Sequence, residues 1–521
     1  MKECGSVMER SIQANVLLLV ILVMSLFGCT TFDHTATVEE ERMFGADWNG
    51  ILDGEDNPSI FYTHGMGDAQ IVVKPGGEQQ PFDQPFKNQA AALLNATWIK
   101  GLVIPVKLQR NYQVLGEGFD CIVDECNIDT FGTLHISTLE YADPEDIEIT
   151  KTATLYSYFW NDAAKFFQKP YRMFCVEGDR ADETCSSSDV SPELNQELKE
   201  TFVIDGFGDA SMYIGEPGQV MRDGMLSALC IAYLYRTDKN SDFLEKGNAR
   251  CIENLLAAPN QFNQGFTGLS FISKSLGSRV LFDTLSLQDE TEALMELTDC
   301  PLLVESQHSN VTCDWDLNGR ITLAQLESRY PMTVGNISAK AEFKKSVSRS
   351  VSEVFMFANQ LPLIGLARVG VDHGTQSSSR RTLFCELLNV DCANDVVIFG
   401  VEQQQIFNNS FFDHFSDNST SGLLPTTSSN KVTIVAFTDP GDILGFKAGA
   451  HIKGNRENSR LRIFDIQRRN AVTNYLGRIT DPRLAHAKED EFMDVAQLVW
   501  CGGRVSDSGN VKAQECPEFF Q

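Results

Sequence analysis

The chain has 521 residues, of which 42% are hydrophobic, and 71 Asp+Glu against 43 Lys+Arg give it a formal net charge of -28. That much apolar material excludes wholesale disorder. The acidic balance repels phosphate backbones and argues against nucleic acid as a partner.

Lys2 and Arg10 lead into the apolar run VLLLVILVMSLF, Val16 to Phe27. A run of 12 is too short for a bilayer, which needs about 20 residues. A charged start, a short apolar stretch and small residues at its end form the pattern of a secretory signal. Its four charges (Lys2, Glu3, Glu9, Arg10) cancel, so the mature chain keeps -28. The run closes as Leu26-Phe27-Gly28-Cys29. This resembles a bacterial lipobox, in which cleavage precedes a cysteine that then carries lipid. Phe27 departs from the small residue usual at that place. The resemblance implies removal of residues 1–28, export to the cell envelope, and a lipid anchor on Cys29. Thr30 in place of Asp resembles outer-membrane sorting. The alternative is an ordinary signal peptide with Cys29 as a bystander.

Of 14 cysteines, Cys4 falls in the signal and Cys29 at the anchor, which leaves 12. They fall in neighbouring couples, 121/126, 175/185, 230/251, 300/313, 385/392 and 501/516. In an oxidising compartment these read as local disulfides. None has the CxxC spacing of a thiolate zinc site.

Along the chain, short apolar runs alternate with helical patterns. In order come a strand SIFYT (59–63), a helix QVMRDGMLSALCIAYLY (219–235), a strand GLSFIS (268–273) and a helix LGSRVLFDTL (276–285). Strands EVFMFA (353–358), KVTIVAF (431–437) and RLRIFDI (460–466) follow, then a helix EFMDVAQLVW (491–500). In that last segment Phe492, Val495, Ala496 and Val499 share one face, and Glu489, Asp490 and Glu491 favour its N-terminus. The alternation predicts an α/β domain over 29–521 with a mostly parallel sheet and helices on both faces. Two stretches read as lid-like insertions: about 105–200, and the polar loop 404–430, which carries Phe411 and Phe412.

Four motifs stand after apolar strands. The first is Tyr62-Thr63-His64-Gly65-Met66-Gly67, whose glycines permit a sharp turn and a close backbone approach. The second is Ser273-Lys274-Ser275-Leu276-Gly277, between a strand and a helix. A nucleophile on such a turn needs small residues two positions to either side, and Ser273 and Gly277 are small. The third is Thr438-Asp439-Pro440-Gly441-Asp442, and the fourth is Leu484-Ala485-His486-Ala487.

Together these resemble the α/β-hydrolase superfamily over residues from about 58 to 501, with the two insertions unmatched. The order Ser, acid, His is that fold's order. Ser273 replaces the first Gly of G-x-S-x-G, and Lys274 stands where His is common. The resemblance implies Ser275 as nucleophile, His486 as base and Asp442 as the acid, with Asp439 as the rival acid. It assigns the oxyanion donors to the backbone amides of Met66 and Leu276. His64 reads as a structural residue of the oxyanion turn, and Lys274 as a solvated lysine or a contact for an acidic substrate group. No cofactor is required for this chemistry.

Asp314-Trp315-Asp316-Leu317-Asn318-Gly319-Arg320-Ile321-Thr322 matches the first nine positions of an EF-hand-type loop. Asp314, Asp316 and Asn318 would hold a structural calcium ion, but Gln325 occupies the place of the bidentate Glu. The alternative is an Asx-rich turn that opens a helix. The expected substrate is a small-molecule or lipid ester met at the membrane surface. The competing reading is a surface binding or adhesion lipoprotein that keeps the fold without the activity.

Overall fold

The computed structural model describes residues 36–38, 41–53, 57–65, 70–72, 79–113, 127–142, 150–160, 167, 208–215, 217–237, 251–252, 268–285, 328, 331–358, 360, 432–439, 445, 447–448, 461–468 and 493–516. Its strands are β1 (Thr37–Val38), β2 (Asp47–Trp48), β3 (Ser59–Thr63), β4 (Gln70–Val72), β5 (Gln79–Pro81), β6 (Thr97–Gln113), β7 (Asn127–Ala142) and β8 (Thr150–Phe159). They continue as β9 (Leu269–Lys274), β10 (Val351–Phe357), β11 (Val432–Thr438), β12 (Leu461–Gln467), β13 (Gly503–Val505) and β14 (Val511–Ala513). The described helices are α1 (Gln84–Leu93), α2 (Gly208–Ile214), α3 (Pro217–Thr237), α4 (Leu276–Leu285), α5 (Pro331–Arg349) and α6 (Met493–Trp500).

Nine strands form one sheet in the order β1-β12-β11-β10-β9-β3-β8-β7-β6. From β12 to β8 every neighbouring pair is parallel. The antiparallel strands sit at the two flanks, β7 and β6 at one and β1 at the other. Strands buried on both faces read as continuous apolar runs, and SIFYT and VTIVAFT are buried at every position.

Alternation sorts these runs into two apolar layers. Phe61, Phe271, Val354, Met356, Ile434 and Ala436 face a cluster that includes Met225 and Leu229 of α3, Val280 of α4 and Phe343 of α5. Ile60, Tyr62, Ile272, Phe355, Val435 and Phe464 face a second cluster with Phe86 and Ala90 of α1 and Val495 and Val499 of α6. Helices therefore cover both faces of a mostly parallel sheet, the architecture expected from the sequence pattern. Each large apolar side chain buried this way contributes about 1.5–3 kcal/mol.

Part of the stretch expected as an insertion, 105–200, is paired into the main sheet. β7 and β8 are registered from Thr133↔Phe159 to Ala142↔Thr150, and β8 lies beside β3. The physical reason lies in β3. It is the first strand of the parallel set yet sits at the centre, so its second edge needs a partner, and β8 supplies it. The polar loop 404–430, the signal with Cys29, and the calcium-like residues Asp314, Asp316 and Asn318 lie outside the described residues.

Two expected disulfides are present, Cys230–Cys251 and Cys501–Cys516. The other four couples fall outside the described residues. Cys501–Cys516 closes a small sheet of β2, β13 and β14 against the end of α6. Trp48 of β2 is fully buried there, donating from Nε1 to the Leu498 carbonyl at 3.2 Å.

Candidate active site

Parallel strands end together, and the loops at their C-terminal ends gather side chains from separate parts of the chain. Here β3 ends in His64-Gly65, β9 in Ser275, β10 in Ala358 and β11 in Asp439. The register Thr63↔Ser273 and Phe357↔Lys274 brings the first three to one level of the sheet.

Ser275 links β9 to α4 with φ +53°. A left-handed conformation costs a non-glycine residue about 1–2 kcal/mol, so the surrounding contacts must impose it. Its N–H donates to the Phe357 carbonyl at 2.8 Å, and its own carbonyl accepts from the Ser278 N–H at 3.1 Å. One bond pins the turn to β10 and the other begins the helix. The residue is only 3% exposed.

The neighbouring glycines are required by contact. A Cβ added at Gly277 would stand 2.1 Å from the His64 carbonyl oxygen. One added at Gly65 would stand 2.2 Å from the Ser275 Cβ. The His64-Gly65 turn thus lies directly on the Ser275 turn, with no room for a side chain between them. Ser273, which takes the place of a glycine in the motif, is fully buried and pairs its hydroxyl with that of Ser278 at 2.9 Å. Its extra oxygen is therefore accommodated by a partner in α4.

His64 is a structural imidazole. It is buried between Phe82 and Trp160, with ring centroids at 4.7 and 5.0 Å. Nε2 accepts from the Trp160 N–H at 3.2 Å, which leaves the proton on Nδ1. Burial pushes its pKa down to about 3, opposed by a hydrogen bond with the Gly65 backbone and helped by the Lys274 charge. The ring is neutral at physiological pH and fastens the turn after β3 to the end of β8. Lys274 is half-buried, not fully solvated, and its charge is felt at His64.

Leu276 opens α4 and is buried, so its backbone lies at a ten-residue helix's positive end, next to Ser275. Asp439 is 2% exposed, just beyond the end of β11. Strands β9 and β11 are two spacings apart, which sets Ser275 and Asp439 on backbones about 10 Å apart. Met66, Asp442 and His486 lie outside the described residues.

Two further residues at this end escaped the sequence reading. Ala358, fully buried, also has a left-handed backbone, φ +48°, and its N–H donates to the Phe437 carbonyl at 3.1 Å. Gln360 is 0% exposed, and among the described residues neither its Nε2 nor its Oε1 has a hydrogen-bond partner. An orphaned buried amide costs about 1–3 kcal/mol. Nothing in the segment EVFMFANQ marks either residue, because an isolated Ala or Gln carries no pattern.

Among the described residues no group of three or more His, Cys, Asp and Glu is placed to hold a metal ion. No described helix is long and apolar enough to cross a membrane. Comparison with protein-family models, curated proteins and solved structures finds no match.

Proposed function

We propose that the protein is a serine hydrolase of the α/β-hydrolase type, acting on carboxylic esters through an acyl-enzyme. The observation that carries this reading is the left-handed Ser275 at a strand-to-helix turn, pressed against Gly65 and flanked by Gly277. Strain of this kind clusters at reactive groups because it presents a side chain away from the regular backbone.

In this reading His486 removes the Ser275 Oγ proton as the oxygen attacks the ester carbonyl carbon. The oxyanion is held by the Met66 and Leu276 amides, each donor being worth about 3 kcal/mol. The tetrahedral centre collapses, the alcohol leaves with the proton from His486, and an acyl-Ser275 remains. Water, deprotonated by His486, releases the acid and restores the serine. Asp442 orients the imidazole and stabilises its charged form. Asp439 is the alternative acid: it is buried at the β11 end, and an imidazole spans the gap of about 10 Å between those backbones. We propose further that the protein is exported and lipid-anchored at Cys29, which places it where lipid esters are met.

The test is turnover of a chain-length series of p-nitrophenyl esters by the mature protein and its variants. Ser275→Ala and His486→Ala are expected to lose at least about 10³-fold in kcat. Asp442→Asn is expected to lose far more than Asp439→Asn. Equal slow turnover in wild type and Ser275→Ala, both folded, would leave the binding-lipoprotein reading in its place.

A further inference from the structure

We infer that the N-terminal tether holds the Ser275 end of the sheet, not its opposite end, against a lipid bilayer. The inference rests on the proposed lipid anchor at Cys29 and goes beyond it by fixing which surface meets the membrane.

The register across the sheet carries the argument. Val38 pairs with Ile466, Ile466 with Phe437, Phe437 with Phe357 and Phe357 with Lys274. Val38 and Lys274 therefore occupy one row, and Thr37 lies level with Ser275. These ends are four strand spacings apart, or about 19 Å. β1 runs antiparallel to β12. The chain preceding Thr37 therefore leaves the sheet in the direction in which β9 ends at Ser275.

That exit point is fixed by hydrogen bonds. The Ala36 carbonyl accepts from the Val511 N–H at 2.8 Å, and the Val38 N–H donates to the Gly509 carbonyl at 2.8 Å. Both partners belong to the C-terminal segment that Cys501–Cys516 closes. The N-terminus of α6 marks the same corner. Asp494 accepts from the buried Arg468, just past β12, at 2.7 and 3.0 Å. Beside it Met493 is 39% exposed.

From Cys29 to Ala36 there are seven residue steps, which extend to at most about 25 Å. The β1–β12 corner is therefore held within about that distance of the lipid on Cys29. The tether enters this corner from beyond the strand ends, which favours the Ser275 end as the one turned to the bilayer. The strand starts, such as Asn57 before β3, face away.

The test uses the lipidated full-length protein in phosphatidylcholine vesicles that contain nitroxide-labelled lipid. Zwitterionic lipid avoids repulsion of a chain with net charge -28. A small fluorophore is placed by an unnatural amino acid at position 493 in one variant and at position 57 in another. Quenching is expected to be several-fold stronger at 493. Insertion of about 20 Gly/Ser residues between Cys29 and Ala36 adds about 25 Å of root-mean-square reach, and is expected to abolish the difference. Equal quenching at the two positions, or stronger quenching at 57, would overturn the inference. Palmitate incorporation that is lost in Cys29→Ser identifies the tether. Its absence from the wild type would overturn both the tether and the orientation, while leaving the ester-turnover test of Ser275 standing.

Discussion

The two ends of the parallel sheet are built on different principles. At the C-terminal end the backbone is strained and packed to contact. Ser275 and Ala358 take left-handed conformations, Gly65 and Gly277 touch their neighbours, and Gln360 is buried with an amide that has no partner among the described residues. At the opposite end β10 opens with a register shift between Val351 and Glu353, and polar side chains gather into a hydrogen-bonded cluster, although Arg462 Nε has no partner among the described residues. Glu353 is buried near the start of β10 and accepts from the hydroxyls of Ser270, at 3.0 Å, and Ser352. Arg462 donates to the Thr433 hydroxyl at 3.2 Å and to the Asp47 carbonyl at 3.0 Å. The contrast lies in residue type. At the Ser275 end the left-handed positions are filled by Ser and Ala, which resist that conformation, whereas at the far end they are filled by Asn95 and Gly268, which accept it more readily.

The largest expected effect breaks the strained end. Gly277→Ala forces a methyl group into the His64 carbonyl, a backbone atom that cannot swing aside. It should cost about 1–3 kcal/mol of stability and displace the His64-Gly65 turn, with loss of ester turnover greater than the loss of stability explains. Thermal unfolding together with kcat measurements separates the two effects.

The far end gives the pH dependence. Burial pushes Glu353 up to about 7, with the Asp53 charge adding to the rise and Ser352, Ser270 and the Arg462 charge opposing it. The folded state then keeps a proton that the unfolded state has lost above about pH 4.5. This contribution is fully present below pH 4.5 and is lost as pH rises through 7. His64 has the opposite sign. Its folded pKa of about 3 lies below the ordinary 6.5, so its contribution is lost as pH falls below 6.5. From pH 4.5 to 6.5 the two slopes oppose each other. Glu353→Gln removes one of them and should raise stability at pH 8 by up to about 3 kcal/mol, read by denaturant titration at pH 4.5 and 8. A smaller gain at pH 8 than at pH 4.5 would contradict the assignment.

Two smaller changes sharpen the comparison. Gln360→Met replaces a buried amide that has no partner among the described residues with a side chain of similar volume, and should stabilise the protein by about 1 kcal/mol. If the amide serves the substrate, kcat/KM falls at the same time. Ala358→Gly relieves a left-handed backbone and should stabilise by less than about 1 kcal/mol, because glycine adds freedom to the unfolded chain. In Glu353's half of the sheet, a Gly at the regular position Val354 should destabilise.

Much of the fold is legible in the sequence where burial is two-sided. SIFYT and LGSRVLFDTL occupy the spans their patterns predict, and the strand around VTIVAF is shifted by one residue. The pattern was weaker for β6, β7 and β8. In β7 Thr, Ser, His and Glu interrupt the apolar residues, because an antiparallel strand near a sheet's flank meets water along part of its length, and β8 opens with the exposed and half-buried Thr150, Lys151 and Thr152 before its buried run. These segments then read as part of an insertion although they pair into the sheet. At the candidate site, Ser275, Gly277 and the His64-Gly65 turn could be read because small residues at fixed spacing announce close backbone contact. Ala358 and Gln360 could not, since what sets them apart is φ and the lack of a hydrogen-bond partner among the described residues, and neither leaves a mark on residue type.

The most direct measurement is peptide mapping of the mature protein after reaction with a fluorophosphonate. An activated serine at the strained turn requires a single adduct, on Ser275, that forms in the wild type, fails to form in Ser275→Ala and is slowed by His486→Ala. A folded wild type that forms no adduct at Ser275, even after detergent or substrate esters have been added to open the site, would contradict it.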